Sequence, residues 1–559
     1  MNFQRILRKP LRKVSTVLCY LILFPSFHIT LFNQVVYGHI GATEDLETIV
    51  ADKLIHVNNQ HPHADDSNAG TVDKPIRTVG RAVQLAMEYN KRGFSSTILI
   101  YPGVYREQIV VDSPNRTTDP PIIFRAKEPG TAIISGSDIW ADWREEDTTG
   151  VYSHNWPYKW ELMPYPPGWK QVVELADIVR RREMVFIDGA PMKQVLSQGD
   201  LKPGTFYVSE EKSTIFISLP SGLSMSTVKI EVAVRSGIMS IRNKNNVVLR
   251  GLRFQHDATG VQGAAVRVSN ARNILIEECI FVWNNWTGLG LVSVDNITTR
   301  GNIMNSNGGA GFSAYSIRNI LSQDDETSHN NWRGLQGNFL SWAVAGIKHM
   351  RVHNGIYRRD KTVHNDARGF WLDFDIRNVI VESLKSSENL VDGVLVEAAQ
   401  GPVTVRNSKI HHNKRWGIWS TNSEQLTLEG NHIFDNTEAQ IKINGDEERT
   451  VEDFESRQKL LLKVRNWILK ENIIASNDSF LLDIIGWKHF LTGLLSDHNV
   501  WCRFKSQYVI KVSGRPLRLS DWQKTMHMDA NSQFFESFNG RGDAFHNTCL
   551  PADSTERPQ

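Results

Sequence analysis

Between Pro402 and Leu428 the chain reads PVTVRNSKIHHNKRWGIWSTNSEQLTL. Three short runs, Val403-Thr404-Val405, Lys409-Ile410-His411 and Gly417-Ile418-Trp419-Ser420, are separated by polar residues, and Leu426-Thr427-Leu428 restarts the pattern. The runs are rich in β-branched residues and lack the 3.6-residue apolar spacing of a helix, so they read as strands. Working outward, the first run recurs at Val247, Ile274, Ile297, Ile320, Val379, Val403 and Leu426, in steps of 27, 23, 23, 59, 24 and 23. Such a unit is too short for two packed helices. Three short strands per turn with Asn at the corners predict an all-β fold, a right-handed parallel β-helix solenoid.

The step of 59 holds about one coil and extra sequence; the polar stretches 323–333 and 357–368 are therefore predicted to be excursions that build a cleft on one side. The Asn rows are read as structural, because stacked amides satisfy one another and Asn tolerates left-handed backbone. Residues 43–136 are predicted to form an N-terminal cap and the first coils, with a capping helix through Tyr89 that covers the apolar end of the solenoid. From 137 to 232 the period vanishes and hairpin-like runs predict a small β-rich insert. Residues 233–500 are assigned to the β-helix that carries the site, and 501–559 to a C-terminal cap and tail.

Basic residues (63) and acidic ones (61) nearly cancel, so no bulk electrostatic case for a nucleic-acid partner exists. Residues 1–42 carry Arg5, Arg8, Lys9, Arg12 and Lys13 ahead of an apolar stretch from Val14 to Phe32, followed by Gly38, Gly41 and Ala42. That order reads as a secretory signal peptide and places the body outside the cytoplasm, extracellular or periplasmic. The rival reading is an uncleaved anchor, since the stretch is near the ~20 residues a spanning helix needs, and only then is a membrane a partner. With Cys19 in the leader, Cys279, Cys502 and Cys549 remain. Cys279 sits in an apolar run and reads as a buried thiol, leaving Cys502 and Cys549 able to bridge in an oxidising compartment.

Aligning coils by their Gly-led strand gives a column Lys348, Asp373, Glu397, Ser420, with steps of 25, 24 and 23. Residues one coil apart lie about 4.8 Å apart, so Asp373 and Glu397 are predicted neighbours. Alternation along Gly369-Phe370-Trp371-Leu372-Asp373-Phe374-Asp375 sends Leu372 and Phe374 inward and Trp371, Asp373 and Asp375 outward. Two adjacent carboxylates resolve their repulsion when one keeps a proton; Lys348 favours ionised Asp373 and leaves Glu397 as the protonated partner. Retaining glycosidases need that division at close range. Trp371, Trp419, Asp375, Lys348 and His349 are the candidate substrate-binding residues around the catalytic pair. A salt-bridge ladder decorating the solenoid face is the bland alternative.

The segments Gly369-Phe370-Trp371-Leu372-Asp373-Phe374 and Leu395-Val396-Glu397-Ala398-Ala399-Gln400-Gly401-Pro402 resemble those of the β-xylosidases of glycoside hydrolase family 120, which are parallel β-helix (pectate-lyase-like) enzymes with a β-rich insert. The likeness extends to His61-Pro62, Ala64, Asp66, Asn68, Gly70-Thr71, Pro75 and Thr78, and to Leu519-Ser520-Asp521-Trp522-Gln523-Lys524. The resemblance implies that Asp373 is the nucleophile and Glu397 the acid/base of a retaining mechanism. Phe374 stands where the family has a Trp, and Ala398-Ala399-Gln400 replace a more polar Val-Asn-His stretch, which leaves the sugar open.

The leading expectation is a secreted retaining hydrolase of a polysaccharide or oligosaccharide that needs no cofactor. A second is a polysaccharide lyase, with Lys348, Arg351 or Arg377 as base and Ca²⁺ held by Asp373, Asp375 and Glu397. A third is a non-catalytic glycan-binding surface protein.

Overall fold

The computed structural model describes residues 44–113, 119–147, 150–445, 448–486, 493–503, 506–536 and 549. The leader and anchor readings of residues 1–42 lie outside them. Among the described residues no helix is long and apolar enough to cross a membrane.

The chain winds as a right-handed parallel β-helix, the hand that parallel crossover connections favour. In one coil, strand Arg368–Asp373 leads to Arg377–Glu382, then to Lys385–Ser387, and then to Val394–Glu397 of the next coil. Equivalent strands pair in parallel, Phe370 with Val394, Val379 with Val403 and Lys385 with Lys409. Among the described residues the first and second strands of the coils form a 22-stranded sheet and the third strands a 13-stranded sheet. Asn246, Asn273, Asn296, Asn319, Asn354 and Asn378 turn the corner between first and second strands with φ of 54–61°. Asn is among the few residues that take this left-handed conformation readily.

Inward side chains stack coil on coil: Val266, Leu289, Phe312, Ile347, Phe370, Val394 and Ile418 share one register position and are all core residues. Their burial is the main stabilising contribution. A second ladder is polar. Asn284, Asn307, Asn330, Asn365, Asn389, Asn413 and Asn436 each donate from Nδ2 to the Oδ1, or at the end the Gln440 Oε1, of the next coil at 2.8–3.0 Å. Asn389 also accepts from the Asn365 backbone N–H at 3.1 Å and donates to the Thr362 carbonyl at 2.8 Å. Asn389→Ala orphans these buried partners and is expected to cost about 3 kcal/mol, read as a lowered denaturation midpoint. The half-buried Asn354, bridging Asn319 and Asn378 at 3.1 Å each, is expected to lose less on the same change.

The ends are closed. Helix Val79–Lys91 covers the N-terminal end with Val79, Ala82, Val83 and Ala86 buried, and its first amides donate to the Glu107 carboxylate at 2.9 and 2.7 Å. Strands Val500–Arg503, Tyr508–Val512 and Gln533–Glu536 carry the solenoid beyond residue 500, and helix Leu519–Met526 buries Leu519 and Trp522 near its end. Cys502 and Cys549 are joined by a disulfide; Cys279 is buried and free.

Residues from Ser137 to Ala233 form a four-stranded and a five-stranded sheet with a core of their own around Trp156, Val185, Phe206 and Ile215. The long step divides into 35 and 24 residues, since Ile320 pairs with Gly355 and Gly355 with Val379. Its extra residues form helix Trp332–Gln336 and the loop 337–344. The stretch 357–368 is an ordinary coil, not an excursion. Three of its polar residues hold the coil: Arg359 and His364 turn corners at φ 58 and 54°, and Asn365 belongs to the amide ladder. A second excursion, outside the expectation, is the antiparallel hairpin of Glu448–Glu452 and Lys459–Lys463, set between Leu426–Glu429 and Trp467–Lys470.

Candidate active site

On the outer face of the first-strand sheet, Leu372 pairs with Val396 and Glu397 with Thr421. The residues that follow Leu372 and Val396, Asp373 and Glu397, are therefore neighbours one strand step apart, about 4.8 Å. Both line a cleft of about 630 Å³. The excursions supply its walls: Trp169 from the insert, Ser341 and Trp342 from the loop 337–344, and Arg449 from the hairpin. Arg333, 1% exposed, ties helix Trp332–Gln336 to the solenoid and the insert by donating to Asn285 Oδ1 at 2.9 Å, Gln194 Oε1 at 2.7 Å and the Glu183 carbonyl at 2.7 Å.

Lys348 does not stand in the carboxylate column. Its register partner is Trp371, and Met350 is the partner of Asp373. The long side chain nevertheless crosses to Asp373, with Nζ 3.1 Å from Oδ2, and donates to the Trp342 carbonyl at 3.0 Å. Burial pushes the Lys348 ammonium pKa down, opposed by Asp373. Arg449 Nη1 lies 2.6 Å from Glu397 Oε1. Burial and then the charge of Asp373 push the Glu397 carboxyl above its usual range, against the pull of Arg449, Lys348 and Arg368. Two close carboxylates thus each have their own cation, Lys348 at Asp373 and Arg449 at Glu397.

Trp371, sent outward by alternation, lines the cleft, and so does Trp419. Cations occupy the Trp371 ring, however: Lys348 Nζ lies 3.2 Å from its centroid and the Arg368 guanidinium 4.6 Å. Trp419 is half-buried and packed edge-on to Trp416 at 4.8 Å, and its cations stand farther off, Arg415 at 5.5 Å and Arg368 at 5.6 Å from the centroid, which leaves more of its face open to the cleft.

Two expected substrate-binding residues lie elsewhere. Asp375 follows the end of the strand and turns the corner at φ 61°, so alternation no longer applies. It is fully buried, 3.0 Å from His353 Nε2, and accepts from Gln400 Nε2 at 2.6 Å and the Phe454 amide at 2.9 Å. His349 alternates with the outward Lys348 and points into the core, 2.6 Å from the Tyr357 hydroxyl and edge-on to Phe312; burial pushes its pKa down to about 3, so it is neutral. Phe374, expected inward, lines the cleft and packs with Ala398, Val451 and Leu462, the last two from the hairpin.

The three acids of the Ca²⁺ reading therefore do not converge. His353, Asp375 and Asp453 do cluster, but Gln400 and Arg377 already donate to these carboxylates. Of the bases considered for a lyase, Arg377 pairs with Asp453 and Glu455, and Arg351 lies over the Tyr315 and Phe374 rings.

Arg449, Arg368, Arg267, Trp169, Trp286 and Trp342 also line the cleft and were not singled out in the sequence. A signal existed for Arg449: the coil step jumps to 41 residues there, as Thr427 pairs with Ile468.

Residues 213–372 and 335–454 match the family model described as right handed beta helix region. No curated protein matches the chain. Among solved structures, XylC in complex with xylose shares the fold with a TM-score of 0.64 at 14% identity, over 87% of this chain and 86% of that one. The A-module of the mannuronan C-5 epimerase AlgE6 of Azotobacter vinelandii aligns at 12% identity over 84% of this chain and 97% of its own, with a TM-score of 0.47.

Proposed function

We propose that this protein is a retaining glycoside hydrolase acting on an oligosaccharide or polysaccharide, with Asp373 as nucleophile and Glu397 as general acid/base. The observation that carries this reading is the placement of the two carboxylates on adjacent strands in one aromatic-walled cleft. A step of about 4.8 Å is close to the ~5–5.5 Å of retaining pairs and short of the ~6.5–9.5 Å that inversion requires.

In the first step Asp373 attacks the anomeric carbon while Glu397 gives its proton to the departing glycosidic oxygen, leaving a glycosyl ester. Lys348 Nζ, 3.1 Å from Asp373 Oδ2, positions the attacking carboxylate. Once Asp373 is esterified its charge is gone, and with it one of the two causes that raise the Glu397 carboxyl. Glu397 becomes the stronger acid, held as carboxylate by Arg449, and takes the proton of the water that cleaves the ester. These steps use no metal or cofactor.

Export to an oxidising compartment fits the Cys502–Cys549 bridge. The xylose bound in XylC makes pentosides the first sugars to try. Purified protein incubated with aryl glycosides and polysaccharides is expected to release reducing ends without the ultraviolet absorbance of an unsaturated product; absorbance instead would identify a lyase.

Arg449→Gln removes a cation that lowers the Glu397 pKa. Glu397 must be protonated to act as acid, so activity falls as pH rises through its pKa. A higher pKa moves that fall to higher pH, and the basic limb of the kcat/KM profile is expected to shift upward in the variant. An unmoved limb would remove Arg449 from this role.

A further inference from the structure

Resting on the glycan-cleaving reading above, we infer that the N-terminal end of the cleft binds the anionic group of an acidic glycan, a carboxylate or sulfate on a sugar remote from the reacting bond, with Arg267 as the anion-binding residue. The cleft is lined by the cations Arg267, Lys348, Arg368 and Arg449 and by the anions Asp373 and Glu397. Three of these cations are matched at carboxylates: Lys348 at Asp373 (3.1 Å), Arg449 at Glu397 (2.6 Å) and Arg368 at Asp392 (2.8 Å). Arg267 is exposed, and among the described residues it has no hydrogen-bond or ion-pair partner.

That isolation contrasts with neighbouring arginines of the solenoid. Arg242 pairs with Asp112 at 2.9 Å, Arg272 and Arg318 with Asp295 at 3.5 Å each, and Arg358 with Glu382 at 2.6 Å. Arg267 differs from them in facing the cleft.

The register fixes where the anion would sit. Arg267 pairs with Gly290, Gly290 with Ser313 and Ser313 with Lys348. Arg267 is thus three strand steps, about 14 Å, from Lys348. Between them Gly290 and Ser313 keep the floor low, and Trp286 and Trp169 provide apolar wall for intervening rings. A group bound at Arg267 therefore belongs to a sugar other than the one attacked by Asp373. A guanidinium fork matches a carboxylate or sulfate in two parallel hydrogen bonds, and a cleft with excess positive charge concentrates anions.

The test is calorimetric binding to Glu397→Gln protein, which leaves the sugars intact, with Arg267 present or changed to Gln. The probes are glucuronate-bearing oligosaccharides, the same set after carboxyl reduction, and sulfated oligosaccharides. The acidic probes are expected to bind about tenfold more tightly than the reduced set. High salt and Arg267→Gln should each abolish that advantage, and whichever acidic set holds it at low salt identifies the anion. Equal binding of acidic and reduced sets, an advantage that survives Arg267→Gln, or no binding of any probe would overturn the inference. Turnover of glycosides by the wild type is read separately, so a failed hydrolase reading and a failed anion subsite give different results.

Discussion

Asp373→Asn is expected to lower kcat/KM on an aryl glycoside by on the order of 10⁴-fold or more, because the proposed mechanism forms the glycosyl bond on this carboxylate. The amide keeps the size of the side chain and an oxygen for Lys348 Nζ, which sits 3.1 Å from Asp373 Oδ2. It does not keep the charge. Lys348 is only 5% exposed, so the substitution also leaves a buried cation without its anion and should lower stability. Near-ultraviolet circular dichroism of the variant separates the two effects: a folded protein without turnover is the expected result, and a folded protein with wild-type turnover would remove Asp373 from the chemistry.

Glu397→Ala is expected to behave differently, and the difference is diagnostic. Loss of general acid catalysis should cost roughly 10²- to 10⁴-fold on a sugar whose leaving group needs a proton. An aryl glycoside with a highly acidic leaving group needs little help in the first step, so the ester should form and then accumulate for want of a base. Azide, which needs no deprotonation, should restore turnover and give a glycosyl azide of retained configuration. No rescue and equal losses on both leaving groups would mean that Glu397 does not transfer the proton.

Much of the fold was legible because a solenoid repeats its physics. The Val/Ile runs at steps of 23 and 24 residues are strands that pair in parallel, and the Asn residues that follow the third strand of each coil stack as an amide ladder. The Asp373–Glu397 neighbourhood was legible for the same reason, since the step of 24 between them is the register of their strands. Lys348 was misplaced by two residues, because the coil step there is 23 and not 25; its reach restored the contact that the alignment had expected for another reason. Strand alternation served as far as Asp373 and failed one corner later, where the left-handed turn at Asp375 buries that carboxylate against His353. The same alternation, applied to His349 beside the outward Lys348, places the ring in the core.

What was illegible came from elements that interrupt the period. The hairpin 448–463, the loop 337–344 and the insert residue Trp169 converge on the cleft through tertiary packing that no single strand encodes. Trp371 shows a related limit. Its outward direction follows from sequence, but the covering of its ring by Lys348 and Arg368 depends on two other strand positions and their rotamers.

The central claim, a covalent glycosyl-enzyme on Asp373, is tested most directly by mass spectrometry. The wild type would be incubated with an activated 2-deoxy-2-fluoro glycoside of the sugar that the aryl glycoside panel identifies, then digested and sequenced. A mass increase of one fluorosugar on the peptide bearing Asp373, absent after Asp373→Asn, is the expected result. Adduct on another carboxylate, or turnover of the parent glycoside with no adduct at all, would contradict it.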